Sequence, residues 1–595
     1  MKIDLNKLAT AFADVEFFLA CVSPDSEIVC EGADAPGLDL WSEQGFWAVS
    51  SRVRATGQSL IHDLDGKRVV FRGYDAGLGV HSYAAPDRLA LLADPAGLRN
   101  GAFAYLGFDP VRQEAVVRTD ALGISPLYYR KDGGSWWFAS HPSLLHVAGD
   151  EVDLVAWASL MQRGHPIADR SFYVGIERMR AGTQLTLRHG AAEQEHWFDF
   201  HALPPGERQI DDAAFAEVEQ AYEHAMERCM ALGSSYILPF SSGYDSRRFF
   251  ATLTRRKAGF KAVTCQTFHR KQGRDYDIDS FFAPQIASAF GVQCELVQAS
   301  PPERMEADNA FRQNLIGTET FMHSWAVPFM KWLAVQRPSI VFDGLAGDTF
   351  GNSGFEIDGL HESPEKDAGL VLKEVVKPEF FRHMSGLFPS YEAFAAEYRN
   401  YQAQFAPNLN NAELAFLQSR TRRAISPWIT MMHPPGQVIV FPYCDMEFIL
   451  ATMKYHPAEK YKWFFQKECL RRFYPEYFDF PGSRNLPAGH PPLDAGTSRL
   501  RDQMEDRYVY GSVARVFGAL KYLSWKNKAL LLMSTVFPWM RKRRGWLFGP
   551  LLSLVRTAQE APSFIQRNST RKDEQAAGQG SAVNHAGTTR RKGLV

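Results

Sequence analysis

The stretch from Tyr236 to Phe250, Tyr-Ile-Leu-Pro-Phe-Ser-Ser-Gly-Tyr-Asp-Ser-Arg-Arg-Phe-Phe, most narrows what this chain can fold into. Apolar Tyr236 to Phe240 reads as a buried strand, Ser241-Ser242-Gly243 as a tight turn, and Asp245 and Ser246 as caps of a helix continued by Arg247 to Thr254. Such a loop aims backbone N–H groups and the positive end of a helix dipole at one point, while small turn residues let phosphate approach the backbone. A carboxylate there repels phosphate unless a cation stands between them, so Asp245 points to Mg²⁺ bridging protein and polyphosphate. The same residues also fit an ordinary capped strand-to-helix turn, and on this stretch alone both readings stay open. No Gly-x-x-x-x-Gly-Lys occurs and no Gly-x-Gly-x-x-Gly follows the strand, which weakens kinase and dehydrogenase readings.

Ser241-Ser242-Gly243-Tyr244-Asp245-Ser246-Arg247 resembles the pyrophosphate-binding loop Ser-Gly-Gly-x-Asp-Ser-x of the asparagine synthetase family, with Ser242 in place of a glycine. A second loop, Asp343-Gly344-Leu345-Ala346-Gly347-Asp348-Thr349, follows the apolar run Ser339 to Phe342 and is similar to that family's Ser-Gly-x-Gly-x-Asp-Glu loop. The resemblance implies an α/β chain in two parts. The first is an N-terminal class-II amidotransferase-like αββα sandwich; the second is a parallel-sheet synthetase domain of the adenine nucleotide alpha-hydrolase-like (PP-loop) kind. It also implies that ATP and Mg²⁺ are used to adenylate a carboxylate, releasing AMP and pyrophosphate, before an amine attacks. On that reading Ser241, Ser242, Gly243, Asp245, Ser246, Gly344 and Gly347 hold pyrophosphate, Asp245 and Asp348 share the metal, and Gln266 and Thr267 lie beside the adenine.

A chain of 595 residues exceeds one core, so several domains are expected. The resemblance gives residues 1–200 as amidotransferase-like and 210–495 as synthetase-like; beyond it, composition gives a basic helical region over 496–565 and a tail over 566–595 that predicts disorder. The net charge of −1 argues against a general nucleic-acid binder. Seven scattered cysteines without a Cys-x-x-Cys pair suit reduced thiols and a cytoplasmic location. Acidic residues before Cys21 argue against a signal peptide, and no apolar run reaches the roughly 20 residues that span a bilayer.

The first 200 residues show short alternating apolar segments between Gly, Pro and Asp, which predicts β structure. Expected strands are Glu16–Ser23, Lys67–Gly73, Ala102–Phe108, Glu114–Thr119, Ser135–Ala139 and Thr183–Leu187; helices are expected over His141–Ala148 and Leu154–Gln162. Gly101 to Tyr105, Arg118 to Tyr129 and Phe138-Ala139-Ser140 resemble, in order, motifs of the family's glutamine amidotransferase domain. In that family a cysteine directly after the initiator methionine is the nucleophile, with its own α-amino group as base. Lys2 stands there in this chain. Cys21 falls inside an apolar strand, and Arg72-Gly73-Tyr74 replaces the glutamine-clamping Asn-Gly-Glu. The expectation is a retained scaffold without glutaminase activity.

Beyond residue 210 the pattern predicts a helix over Asp211–Leu232, a strand over Ala262–Phe268, a helix over Asp277–Phe290, a strand over Gln293–Gln298 and helices over Glu356–Pro427. Such alternation calls for a parallel sheet with ligands at the strands' C-terminal ends. Arg420, Arg422 and Arg423 form a basic cluster that fits a surface patch first, with contact to a phosphate or carboxylate as the alternative. The family's catalytic lysine corresponds to Leu486, leaving Lys462 and Lys467 as candidate replacements. The resemblance leaves the substrates open: a small-molecule, peptide or sugar carboxylate with ammonia or an amine, as in asparagine synthetases, β-lactam synthetases, lasso-peptide cyclases or surface-polymer tailoring enzymes. A non-catalytic nucleotide-binding scaffold is the competing class. Residues 525–556, basic and partly amphipathic, fit either a packed helical subdomain or contact with an anionic membrane.

Overall fold

The computed structural model describes all residues except 1, 24–27, 33–34, 272–273, 321–325, 353–362, 406–407, 464, 482–490 and 567–595. Leu486 and the residues expected to form the tail, apart from Gln566, therefore lie outside the described residues.

Two antiparallel sheets form the N-terminal part. One runs Ile176–Arg178, Tyr128–Asp132, Ser135–Ala139, Phe18–Val22, Phe46–Ser51, Leu38–Glu43; the other runs Ala191–His196, Thr183–Arg188, Glu114–Thr119, Gly101–Asp109, Lys67–Asp75, Ile61–Leu64. They pack through apolar side chains, with the rings of Phe46 and Phe108 stacked 5.2 Å apart. Val69, Phe71, Phe103 and Tyr105 face the opposite way, into a separate small core with Leu92 and Leu98 from short helical turns. Alternation of apolar residues to two buried faces is what the pleat demands of an inner strand. The helix expected over His141–Ala148 is a single 3₁₀ turn, Pro142–Leu144. His141 is buried and bonds the Met431 carbonyl at 2.7 Å, so tertiary contact replaces helix continuation.

The second part is a five-stranded parallel sheet of β1 (Tyr236–Pro239), β2 (Phe260–Cys265), β3 (Cys294–Val297), β4 (Ser339–Phe342) and β5 (Gln437–Val440), in spatial order β3-β2-β1-β4-β5. All residues of β4 and β5 are buried, the apolar signature of strands covered on both faces. The chain leaves β1 towards β2 and leaves β4 towards β5, so adjacent strands send their connections in opposite directions. A crevice opens at their C-terminal ends. Helix α1 (Tyr244–Arg255) follows β1, α2 (Asp279–Ala289) precedes β3, and α3 (Gly347–Asn352) follows β4. Gly243, rather than Asp245 or Ser246, is the N-cap of α1. The strand expected over Ala262–Phe268 divides: β2 ends at Cys265, and Phe268–Lys271 instead forms a hairpin with Arg274–Asp277.

Between β4 and β5 the described residues include Tyr391–Ala403, Asn411–Phe416 and a nine-residue π-helix, Leu417–Ile425. Arg422 and Arg423 are buried here, not on the surface. Arg422 donates to the carbonyls of Gly123 and Met179 at 3.0 and 2.5 Å, and Arg178 donates to the Arg422 carbonyl at 3.0 Å. The π-helix is thereby fastened to the N-terminal sheets. A further sheet pairs Lys2–Asp4 with Val29–Glu31 and with Ile565–Gln566, giving Gln566 a strand position rather than a place in a tail. No described helix is long and apolar enough to cross a membrane.

Candidate active site

The loops after β1 and β4 face one cavity of about 400 Å³ in the crevice. Its lining includes Ser241, Asp245, Ser246, Thr267, Gly344 and Asp348, so carboxylates from two loops a hundred residues apart border the same space. Gly347 lies directly behind Asp245: a Cβ there would sit 2.7 Å from Asp245 Oδ1 and 2.9 Å from the Tyr443 ring. Only a residue without a side chain permits that approach. Ala346, also on the lining, adopts φ +69°, a left-handed conformation costing roughly 1–2 kcal/mol outside glycine. Tyr443 donates to the Asp245 carbonyl at 3.1 Å and stacks on Phe249 at 4.8 Å, tying α1 to the turn after β5.

Hydroxyls shape the first loop. Ser246 Oγ accepts from the Ser241 N–H at 3.2 Å, and Ser241 Oγ accepts from the Gly243 N–H at 3.1 Å. Ser242 is buried and turned from the cavity; its N–H and hydroxyl both donate to Asp279 Oδ1, at 3.0 and 2.8 Å. Arg247 donates to the Ser242 carbonyl at 2.7 Å and to the carbonyls of Phe478, Phe480 and Pro481, and burial lowers its guanidinium to about 10. It braces the loop and is not available to a ligand.

Not every expected residue reaches the cavity. Gly243 and Ser242 shape the loop from behind its lining. Gln266 is held away, donating to Asp277 at 3.0 Å and accepting from the Ala299 N–H at 3.2 Å. Lys467 is exposed on helix Phe465–Phe473, its ammonium 6.0 Å from the Phe478 ring centre, outside the lining. Lys462 lies on helix Pro457–Trp463, and its side chain is outside the described residues.

Asp279, Asp343, Thr421 and Trp428 also line the cavity, with no motif marking them in the sequence, and Arg420 of the basic cluster joins them. Arg420 is the sole cation on the lining among the described residues, against four aspartates. Burial pushes the Asp343 carboxyl up to about 6, partly opposed by the Leu345 N–H it accepts at 2.9 Å. Four aspartates around one cavity repel an anionic ligand unless a cation stands between them. Among the described residues no group of three or more His, Cys, Asp or Glu side chains forms a metal cage. A divalent ion seated by Asp245 and Asp348 would therefore complete its shell with phosphate oxygens and water, the usual arrangement for Mg²⁺.

The N-terminal part has a different character. Cys21 is buried within its strand, and burial raises its thiol far above the ordinary range. Arg72 donates to Glu16 at 3.0 Å and to the Thr430 carbonyl; His433 bonds Glu16 at 2.9 Å and Tyr83 donates to it as well. Burial alone would raise Glu16, yet His433 and Arg72 hold its carboxyl below the usual range. The space beside this cluster is about 20 Å³, room for about one water.

Residues 95–198 match the glutamine amidotransferase domain family and form a glutamine amidotransferase-like domain. No curated protein matches the chain. Two solved structures show a partial likeness. Glutamine phosphoribosylpyrophosphate amidotransferase from B. subtilis, complexed with ADP and GMP, is 13% identical over 58% of this chain and 73% of its own, with a TM-score of 0.21. The allosteric regulatory enzyme of purine biosynthesis is 12% identical over 50% and 77%, also at 0.21. Likenesses at that TM-score carry no argument for the chain as a whole.

Proposed function

We propose that the protein is an ATP-dependent amide-forming ligase that adenylates a carboxylate, releases pyrophosphate and passes the acyl group to ammonia or an amine. One observation carries the reading: the loops after β1 and β4 converge at the point where the sheet reverses its winding, with Asp245 and Asp348 bordering one cavity. Ser241, Ser246 and the start of α1 would receive pyrophosphate, and the two aspartates would hold Mg²⁺, which neutralises phosphate charge as it leaves. Arg420 supplies a fixed positive charge inside the cavity, where Lys467 supplies none.

The amidotransferase-like domain serves as a scaffold. Cys21 is buried, and the space at Arg72 is far too small for glutamine. Ammonia or a substrate amine is accordingly the nucleophile. The test is exchange of labelled pyrophosphate into ATP with a panel of carboxylic acids. Exchange with at least one acid, abolished in Asp245→Ala, is the expected result. Tight ATP binding without exchange for any acid would replace the ligase with a nucleotide-binding scaffold.

A further inference from the structure

Among the C-terminal helices α4 (Val513–Leu520), α5 (Trp525–Val536) and α6 (Gly545–Glu560), with a 3₁₀ turn over Pro538–Arg543, α5 carries most of its apolar residues on the open side, whereas α6 buries Leu547, Phe548, Leu551 and Leu552. In α5 the buried positions are Asn527, Leu531 and Ser534, whereas Trp525, Ala529, Leu532 and Val536 are exposed. At 100° per residue those four fall in a stripe roughly 60° wide. Asn527 fills the protein side with an amide bonded to His383 at 3.1 Å and Ser524 at 2.9 Å. A helix whose packed face is part polar and whose open face is apolar is the reverse of an ordinary surface helix.

The stripe continues. Trp525 is 81% exposed, Val536 68% and Trp539 62%, and Phe537 and Trp546 are exposed beside them. Charge completes the pattern: between Asp506 and Glu560 there are ten lysines and arginines and no acidic residue, in a protein whose net charge is −1. Lys521 and Lys526 are exposed next to the apolar stripe. Tryptophan and aliphatic side chains beside exposed Lys521 and Lys526, on a helix unable to span a bilayer, match the chemistry of an anionic lipid surface: rings enter the headgroup boundary and cations meet phosphate.

We propose that α5 and the turn after it form an interfacial membrane-docking surface for anionic bilayers, lying in the membrane plane. This goes beyond the ligase reading and does not depend on it.

Flotation of the full chain with phosphatidylcholine vesicles, and with vesicles of equal parts phosphatidylcholine and phosphatidylglycerol, tests it. Binding to the anionic vesicles alone, weakened by high salt, is expected. Each near-surface lysine contributes about fivefold in affinity, so Lys526→Glu with Lys528→Glu should weaken binding at least about twentyfold. Trp525→Glu with Val536→Glu should abolish it. Val111→Glu, at a 92% exposed site elsewhere, should change nothing, and all variants should melt as the parent does. No flotation with anionic vesicles would overturn the proposal, as would equal flotation of the Trp525/Val536 variant. So would sedimentation showing that this variant merely splits a dimer, since a second copy would then cover the stripe.

Discussion

Glu319 and Arg423 form a two-pronged ion pair at 2.6 and 2.8 Å, with both side chains wholly buried. Arg423 also donates to the carbonyls of Ala168 and Arg170 in the amidotransferase-like domain. One guanidinium thus joins the loop after helix Pro302–Ile316, the π-helix and the N-terminal domain. Removing one partner leaves an uncompensated buried charge, so Glu319→Ala should cost about 3–5 kcal/mol, read by urea unfolding. Glu319→Met combined with Arg423→Met should recover most of that loss. A double variant no more stable than the single one would show that the pair's packing, not its charge, dominates.

Gly347→Ala places a methyl group against Asp245 and Tyr443. The second loop must retreat, and a displacement of about 1 Å at a catalytic group typically lowers rate on the order of 100-fold. Pyrophosphate exchange should fall by that much while near-ultraviolet circular dichroism keeps its native form.

Arg420→Ala should reduce exchange about 100-fold or more, because a fixed charge in a cavity stabilises a transition state far better than solvent does. Arg420→Lys should restore part of it. Lys467→Ala, at an exposed position off the cavity lining, should leave exchange unchanged; a large loss there would return that lysine to the site.

Ala346→Gly should raise stability by about 1 kcal/mol in thermal unfolding, since glycine holds φ +69° without a Cβ penalty. Unaltered exchange in this variant would mean the strained conformation is not itself used in turnover.

Asp343 titrates near 6 when folded, above its unfolded value of 3.8. A raised acid keeps its proton longer in the native state, so its contribution to stability is complete below pH about 4 and is lost as pH rises through 6. Asp343→Asn should remove that slope. The melting temperature of the variant, relative to the parent, should climb between pH 4 and 6 and level off above.

Local order was the legible part of the sequence. Strand, turn and helix over 236–255 are settled by neighbours in the chain, and the apolar run 339–342 announces a covered strand without any partner being known. Arg422 and Arg423 were opaque because their partners are remote: Gly123 and Met179 lie more than 240 residues earlier and Glu319 about a hundred. A run of arginines looks solvated until the carbonyls that take its protons are known. The side chain of Gln266 is likewise set by a remote partner, donating to Asp277 in a hairpin that sequence periodicity does not mark. Phe46–Ser51 is buried at every position and so lacks the alternation by which a half-exposed strand is recognised.

Pairing of Lys2–Ile3 with Ile565–Gln566 has a temporal consequence. During synthesis the strand at Lys2–Ile3 cannot gain this second neighbour until residues 565 and 566 have been made, so the pairing cannot precede translation of either of the two parts between them.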